Sequence, residues 1–226
     1  MESVILFLED LSRNNNKAWF DANKGRYLAA RAKFEQLAGE LIAGIRRFDG
    51  TIGRLAPADC LFRIYRDVRF SKDKSPYKNT MSLYINRGGK KSGYSGYYFQ
   101  VGAGEKRSLV AIGDYWYPPE VLRVLREDIE MGGGDFRRIL EAVDRRLYLD
   151  GERTLRRVPA GFPKDSPDAE FFKYKVFCLC YEPDHRFLTS PHLAKKLTEI
   201  FATTKPFVDY VNRAVEYCRE EKSDIL

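Results

Sequence analysis

The chain has 226 residues, of which 44% are hydrophobic and 14% aromatic, a composition that excludes a disordered protein and allows a sizeable core. Its uninterrupted apolar runs, such as Val4–Leu8, are too short for a membrane span, and four cysteines in a chain of this size suit a reducing compartment. We therefore expect a soluble, cytoplasmic protein without a membrane partner.

The net positive charge is concentrated in residues 60–107. This window carries eleven Lys/Arg and three acidic residues, a balance of +8, whereas the whole chain has 39 Lys/Arg and 32 Asp/Glu, a balance of +7. The remaining 178 residues are thus close to neutral. Because like charges held close together repel, we expect an anionic partner for this window.

The first part of the chain, residues 1–56, has helical patterns. Residues 3–11 predict a short helix with Ser3 as its cap, and the run Asn14–Asn16 predicts a turn. A long helix is then expected over residues 17–48, because its apolar positions recur at three, four or seven residues.

In residues 57–115 the period changes from helical to alternating. Four strands are predicted, and the short Ser/Pro/Gly loops between them favour an antiparallel arrangement. These strands cover residues 60–70, 80–86, 96–101 and 108–112.

In residues 116–226 the patterns return to helices, with one or two further strands. Phe177–Tyr181 predicts a strand, and residues 147–169 predict an irregular loop with room for one short strand. Helices are expected over residues 118–131, 135–146, 190–203 and 206–221, with a helical turn or two at 169–176. The sequence therefore predicts a single α+β domain over residues 1–226. Its central antiparallel sheet of about five or six strands is flanked by the long N-terminal helix and the C-terminal helices.

The basic window contains an alternating segment, Phe62–Ser71. On an ideal strand, Arg63, Tyr65, Asp67 and Arg69 share one face, opposite the apolar side chains. Guanidinium groups bind phosphate or carboxylate oxygens in a bidentate manner, so this face is a plausible recognition surface. The alternative is a ladder of salt bridges between neighbouring strands.

Arg66 falls on the apolar face of the same predicted strand. An unpaired charge there would cost several kcal/mol. We expect either a β-bulge that turns Arg66 outward or burial of Arg66 against a carboxylate.

The next segment, Ser71–Lys78, is predicted to be a loop, because Pro76 holds the preceding residue extended. Lys72, Lys74 and Lys78 add three charges, and Tyr77 is available for stacking. The alternative is a solvated loop whose lysines protect a sheet edge.

Tyrosines are also dense in this part of the chain. Basic residues interleaved with aromatic residues on a sheet are typical of surfaces that bind single-stranded nucleic acid. Aromatic residues that alternate along a strand are, however, more often part of the core. The tyrosines concerned are Tyr65, Tyr77, Tyr84, Tyr94, Tyr97 and Tyr98.

Three functions are compatible with these residues. The leading hypothesis is binding of an anion, either a phosphorylated small molecule or a nucleic-acid backbone. The predicted ligand-binding residues are Arg63, Tyr65, Arg66, Asp67, Arg69, Lys72, Lys74, Tyr77 and Lys78. One alternative is a metal-dependent phosphoryl-transfer or hydrolytic enzyme that uses Asp67 or Asp73. The other is a structural ion-pair network, in which Arg66 is buried against helix acids such as Glu127 and Asp128. The sequence identifies no catalytic residue, metal ligand or cofactor.

The string from Arg63 to Lys78 (RIYRDVRFSKDKSPYK) resembles a widespread family known as domain of unknown function 2461, found in bacteria and sporadically in fungi and plants. Asn14-Asn15, Trp19-Phe20, Gly96-Tyr97-Tyr98 and Trp116-Tyr117-Pro118 fit the same family, so the resemblance spans nearly the whole chain. It implies one full-length domain of bacterial cytoplasmic type and brings no activity, cofactor or catalytic residue.

Overall fold

A computed structural model describes residues 1–104, 107–132 and 134–223, so that Glu105 and Lys106 of the basic window lie outside the described residues. The described helices are α1 (Glu2–Arg13), α2 (Lys17–Ala22), α3 (Lys24–Ile45), α4 (Pro57–Cys60), α5 (Pro119–Met131), α6 (Asp135–Ala142), α7 (His185–Leu188), α8 (Leu193–Thr203) and α9 (Lys205–Ser223), with 3₁₀ turns at Gly50–Ile52 and Phe171–Lys173. The described strands are β1 (Thr80–Asn86), β2 (Gly96–Gly102), β3 (Leu109–Asp114), β4 (Tyr148–Leu149) and β5 (Phe177–Tyr181).

The strands form one antiparallel sheet in the order β1-β2-β3-β5-β4. Tyr84 of β1 lies opposite Tyr98, which lies opposite Ala111, which in turn lies opposite Cys180. The predicted α+β class with an antiparallel sheet is thereby confirmed. That residues 1–226 form a single domain stays a prediction.

The two faces of the sheet have different surroundings. One face packs against the helices, with Phe34 of α3 over Phe99 and Phe201 of α8 over Tyr97. The opposite face, here called the open face, carries a small separate apolar cluster formed by Ala111, Val176, Cys178 and Cys180, with Tyr98 and Leu109 packed on it. None of these residues belongs to a helix, so the helices are collected on one side of the sheet.

The helix predicted over residues 17–48 is divided into α2 and α3 at Asn23. The Asn23 side chain donates a hydrogen bond to the carbonyl oxygen of Trp19 (2.9 Å), and Asn16 caps α2 by accepting one from the Trp19 N–H (3.0 Å). Asparagine side chains compete with the backbone for such bonds, which explains the break. The helix predicted over residues 3–11 is confirmed as α1, but Ser3 as its cap is wrong, because the N-cap is Met1 and Ser3 lies inside the first turn.

The strand predicted over residues 60–70 is wrong. Cys60 ends the single turn of α4, and residues 61–79 form an irregular hairpin, here called the 61–79 hairpin. Its first arm bonds β1 through the Phe62 N–H and the Ser82 carbonyl oxygen (3.0 Å). It then turns to its own second arm, where the Arg66 N–H donates to the Pro76 carbonyl oxygen (2.9 Å). Because the arm changes partner, no continuous strand ladder forms.

The C-terminal predictions differ mainly in their bounds. The helices at 118–131, 190–203 and 206–221 correspond to α5, α8 and α9, whereas α6 ends four residues earlier than expected. The unpredicted α7 begins where Asp184 accepts a hydrogen bond from the Phe187 N–H (2.7 Å). None of the helices in the part of the chain that the structure describes is long and apolar enough to cross a membrane.

Gly113 of β3 is required by the close approach of β5. Its φ is +122°, and a Cβ atom there would overlap the carbonyl oxygen of Phe177. We expect Gly113→Ala to lower the free energy of unfolding by about 3 kcal/mol or more. The new methyl group would overlap the Phe177 carbonyl oxygen, and the positive φ would strain the alanine backbone as well. The matched control is Gly53→Ala, with φ +63° and no atom near the added methyl group, which is expected to cost about 1 kcal/mol. Urea denaturation measures both, and equal losses would contradict the role of the β3–β5 approach.

Candidate functional site

The N-terminal helices anchor the 61–79 hairpin through Asn15. Its side-chain amide donates to the Tyr77 carbonyl oxygen (2.9 Å) and to Asn79 Oδ1 (2.9 Å), and its carbonyl oxygen accepts from the Tyr77 N–H (3.1 Å). The Tyr77 ring stacks on Phe20 at 4.0 Å and is only 5% exposed. Tyr77, predicted as a ligand-stacking residue, is therefore a buried anchor. The contact of Asn15 with Tyr77 and Asn79 was not predicted, because the Asn14–Asn16 run indicated only a turn.

Arg66 closes the hairpin on itself. Its guanidinium forms an ion pair with Asp73 and donates to the Ser75 carbonyl oxygen (3.1 Å) and Ser71 Oγ (3.2 Å). The arginine side chain is 24% exposed. This arrangement is the expected burial against a carboxylate, in a milder form, and not a bulge. The carboxylate comes from the hairpin's own loop.

Asp73 is held in its charged form by the same loop. The Ser75 side chain and its N–H, together with Arg66, lower the pKa of Asp73 to about 2. The Ser75 N–H lies 2.9 Å from Asp73 Oδ1. Asp73 thus remains a charged partner for Arg66 across the physiological pH range.

Asp67 is engaged in a similar way. It pairs with Arg69 through two contacts, Arg69 Nη2 to Oδ2 at 2.7 Å and Nε to Oδ1 at 3.0 Å. The hydrogen bonds from Arg69 lower the pKa of Asp67, to which the more distant Arg63 also contributes. Asp67 and Asp73, the two carboxylates of the metal-dependent enzyme hypothesis, thus each form an ion pair with an arginine. Within residues 1–104, 107–132 and 134–223, no group of three or more His, Cys, Asp or Glu could hold a metal ion.

The structural-network hypothesis assigned the arginines to helix acids. In the structure Asp128 pairs instead with Arg213 of α9 (3.2 Å), and Glu127 pairs with Arg123 of its own helix (2.7 Å). The ion pairs that shape the hairpin therefore come from within the hairpin itself.

The tip of the hairpin presents a ring and several cations to solvent. Phe70 is 97% exposed, and the Arg69 guanidinium lies 5.9 Å from its ring centre. Lys74 donates to the Val68 carbonyl oxygen (3.0 Å). Lys72 is exposed and has no hydrogen bond or ion pair to another described residue.

Two lysines flank Phe62 at the base of the hairpin. The ammonium groups of Lys78 and Lys90 lie 5.7 and 5.4 Å from the Phe62 ring centre, and Lys90 donates to the Leu61 carbonyl oxygen at 2.5 Å. Burial lowers the pKa of both lysines, and the charge of Arg63 lowers that of Lys78 further. Neither ammonium group forms an ion pair with a carboxylate among the described residues, although Asp59 contributes to the field at Lys90.

A groove runs from Phe62 across the open face of the sheet. It has a volume of about 400 Å³. Its lining includes Phe62, Lys90, Tyr84, Tyr98, Leu109, Ala111, Asp114 and Tyr115. Beyond Tyr115, a second cavity of about 400 Å³ is lined by Tyr148, Asp150, Glu152, Cys180 and Glu182. Lys90 was counted in the basic window but not in the predicted site, and the groove was not predicted.

Arg63 and Tyr65 line a different cavity. It has a volume of about 180 Å³ and also contains Tyr27 and Arg31 of α3. Arg63 makes no hydrogen bond or ion pair within the described part of the chain, although its charge acts on Lys78 and Asp67. The nine predicted residues are consequently divided among this cavity, the hairpin tip, the buried anchor and the groove mouth.

The two cysteines of β5 lie on the open face, as their spacing requires. The sulfur atoms of Cys178 and Cys180 are 3.8 Å apart, and the Tyr115 hydroxyl lies 3.2 Å from that of Cys180. Cys60 and Cys218 are elsewhere in the core, and none of the four cysteines, all of which the structure describes, forms a disulfide bond. The pair therefore has no third thiol beside it.

The family model described as "Conserved hypothetical protein (DUF2461)" matches residues 3–210. The chain belongs to this family. Neither a curated protein nor a solved structure matches the chain. The match includes the whole 61–79 hairpin and the groove, so both are features of a domain of the DUF2461 family.

We expect Arg66→Met to loosen the hairpin while the rest of the protein stays folded. Without the guanidinium, the N–H groups of Arg66 and Ser75 should exchange with solvent severalfold faster, and the pKa of Asp73 should rise from about 2 towards its ordinary value. Hydrogen-exchange mass spectrometry and carboxyl ¹³C NMR measure the two effects. Arg69→Met, which removes only an exposed pair, is the control. Unchanged exchange in Arg66→Met would show that the hairpin does not depend on this side chain.

Proposed function

We propose that this DUF2461 protein binds a phosphate-bearing anion at the mouth of the groove, where Lys78 and Lys90 flank Phe62. The 61–79 hairpin supplies most of the surrounding positive charge. No reaction is part of the proposal, because the acids that the enzyme hypothesis requires are paired with Arg66 and Arg69.

The observation that carries the proposal is the state of the two ammonium groups. Both are partly removed from water, which lowers their pKa, and both lie against the same ring. Partial burial of a cation is unfavourable unless a charge of opposite sign compensates it. Neither group pairs with a described carboxylate, and an external anion would supply the compensating charge that the Phe62 ring and the Leu61 carbonyl oxygen give only in part.

The charge balance of the hairpin supports the same conclusion. Residues 61–79 contain six Lys/Arg and two Asp, a balance of +4. Arg66 and Arg69 are neutralised by the two acids, which leaves four cations without an ion pair to a described residue: Arg63, Lys72, Lys74 and Lys78. An anion at the groove mouth would be stabilised by direct contact with the lysines and by the more distant field of Arg63.

The groove provides room for the rest of the ligand. Tyr98, Leu109 and Ala111 give it an apolar floor, and Asp114 at the far side accepts hydrogen bonds from the N–H groups of Tyr115 and Trp116. A ligand with a phosphate group and a flat apolar body fits this division into a charged mouth and an apolar interior.

A cytoplasmic location also belongs to the proposal. Four cysteines that form no disulfide bond, two of them with sulfur atoms 3.8 Å apart, suit a reducing compartment. Phosphorylated ligands are abundant in such a compartment.

The first test compares two variants that remove the same charge. We expect Lys78→Gln/Lys90→Gln to bind heparin or pyrophosphate about 10- to 100-fold more weakly than the unaltered protein, because two charge-assisted contacts are lost. The control is Lys24→Gln/Lys164→Gln, which removes two exposed lysines that form no hydrogen bond or ion pair with a described side chain. Isothermal titration calorimetry at several salt concentrations measures the affinities. Equal affinity of the two double variants would remove the groove mouth as the site.

The second test uses pH. The bound anion needs both lysines protonated, and the pKa of each lysine is lowered from 10.5. As the pH rises, these two lysines should therefore lose their charge before the other lysines do, and heparin affinity should fall at a pH below 10.5. Heparin keeps its charge throughout this range. Lys78→Arg/Lys90→Arg should retain binding at high pH, since arginine stays protonated. Circular dichroism checks that both proteins remain folded. Identical pH profiles would contradict the assignment.

A further inference from the structure

We propose that the anionic ligand is single-stranded nucleic acid, bound along the 61–79 hairpin with its bases stacked on exposed aromatic rings. This inference rests on the proposed anion binding and adds the class of ligand. It derives from exposed aromatic side chains of the hairpin, whose exposure is not explained by anion binding at the groove mouth.

Three large aromatic side chains of the hairpin are exposed to solvent. Phe62 is 40% exposed, Tyr65 51% and Phe70 97%. Phe70 in particular contributes almost nothing to the core, so the fold does not account for a phenyl ring at this position.

Each exposed ring has at least one cation beside it. Arg69 lies 5.9 Å from the centre of the Phe70 ring, and Lys78 and Lys90 flank the Phe62 ring. Tyr65 shares its cavity of about 180 Å³ with Arg63. The hairpin therefore repeats one unit, a flat ring beside a Lys or Arg side chain, at three positions along its length, although Arg69 at the tip also pairs with Asp67.

This repeat matches the chemistry of a single nucleic-acid strand. Such a strand alternates flat bases, which stack on aromatic rings, with phosphates, which pair with Lys and Arg. A duplex keeps its bases stacked inside and leaves only its phosphates to the cations. A sulfated polysaccharide such as heparin supplies negative charge without any ring. Only the single strand uses both parts of the repeated unit.

A lipid surface fits the same residues less well. Phe70 lies at the tip of the hairpin, whereas Phe62 lies at its base, where its N–H bonds β1 and its ring lines the groove. A planar membrane interface that receives the tip does not also contact the base. A flexible strand follows the hairpin from one end to the other.

The test separates stacking from charge. The probe is a fluorescently labelled dT₂₀ oligonucleotide, and its binding is compared with heparin, a blunt 20-bp duplex and vesicles of phosphatidylserine and phosphatidylcholine. Tyr65→Leu/Phe70→Leu keeps apolar side chains and removes two exposed rings, while it leaves Phe62, the ring beside Lys78 and Lys90, in place. Tyr217→Leu, which removes an exposed ring from α9, is the control.

We expect the double leucine variant to bind dT₂₀ roughly 10- to 100-fold more weakly while its heparin affinity stays unchanged. Lys78→Gln/Lys90→Gln should lose affinity for both probes, and the control should lose neither. Circular dichroism confirms that all variants are folded.

Other outcomes overturn the inference. If heparin binds through the lysines but the leucine variant binds dT₂₀ normally, the ligand is an anion without stacked bases, and the proposed anion binding survives. Equal affinity for duplex and dT₂₀, or vesicle binding without dT₂₀ binding, also excludes a single strand as the ligand. If no polyanion binds, both the inference and the proposed function are wrong.

Discussion

The ion pair between Arg66 and Asp73 determines the shape of the 61–79 hairpin. Arg66 reaches the loop at four points, including the carbonyl oxygens of Asp73 and Ser75, and so fixes residues that form no regular strand. Neighbouring cations in a short segment repel one another, and a carboxylate inside the loop offsets part of that repulsion. The hairpin can therefore carry a net charge of +4 and remain folded.

The string from Arg63 to Lys78 consequently contains two kinds of residue. Some shape the hairpin: Arg66 and Asp73 close it, and Tyr77 holds it to Phe20 and Asn15. Others, such as Lys72 and Phe70, point to solvent and contribute little to the fold. The string thus combines residues that the hairpin needs in order to fold with residues that are exposed to solvent. Only the exposed residues are available to a ligand.

Much of the sheet could be predicted, because its strands are encoded locally. The strands β1, β2, β3 and β5 are short runs rich in apolar residues, so each element and the antiparallel arrangement were predicted correctly. The alternation of apolar and polar residues in residues 60–70 misled, since the arm changes its hydrogen-bonding partner after Phe62. The spacing of apolar residues indicates which side chains are buried. It does not indicate which backbone segments form hydrogen bonds with each other.

The candidate site was predicted only in part for a related reason. Lys90 reaches Phe62 because its ammonium group bonds the carbonyl oxygen of Leu61, 29 positions earlier in the chain. Nothing near Lys90 in the sequence indicates that contact. The groove has the same origin, since Tyr84, Tyr98 and Ala111 become neighbours only through strand register. Arg63, by contrast, was predicted from the residue type and its neighbours alone, and its place in a binding site stays a prediction.

The environment of Lys78 and Lys90 would link the fold to the proposed anion binding. The Phe62 ring and the adjoining backbone remove water from both ammonium groups, which makes the charged forms less favourable and lowers the pKa of each. The same removal of water strengthens the attraction between these groups and a phosphate, because the local dielectric constant falls. A bound anion would therefore recover the electrostatic energy that folding loses at these two lysines. An equal charge on fully solvated lysines, such as Lys72 at the tip, would attract the same anion more weakly and with greater sensitivity to salt.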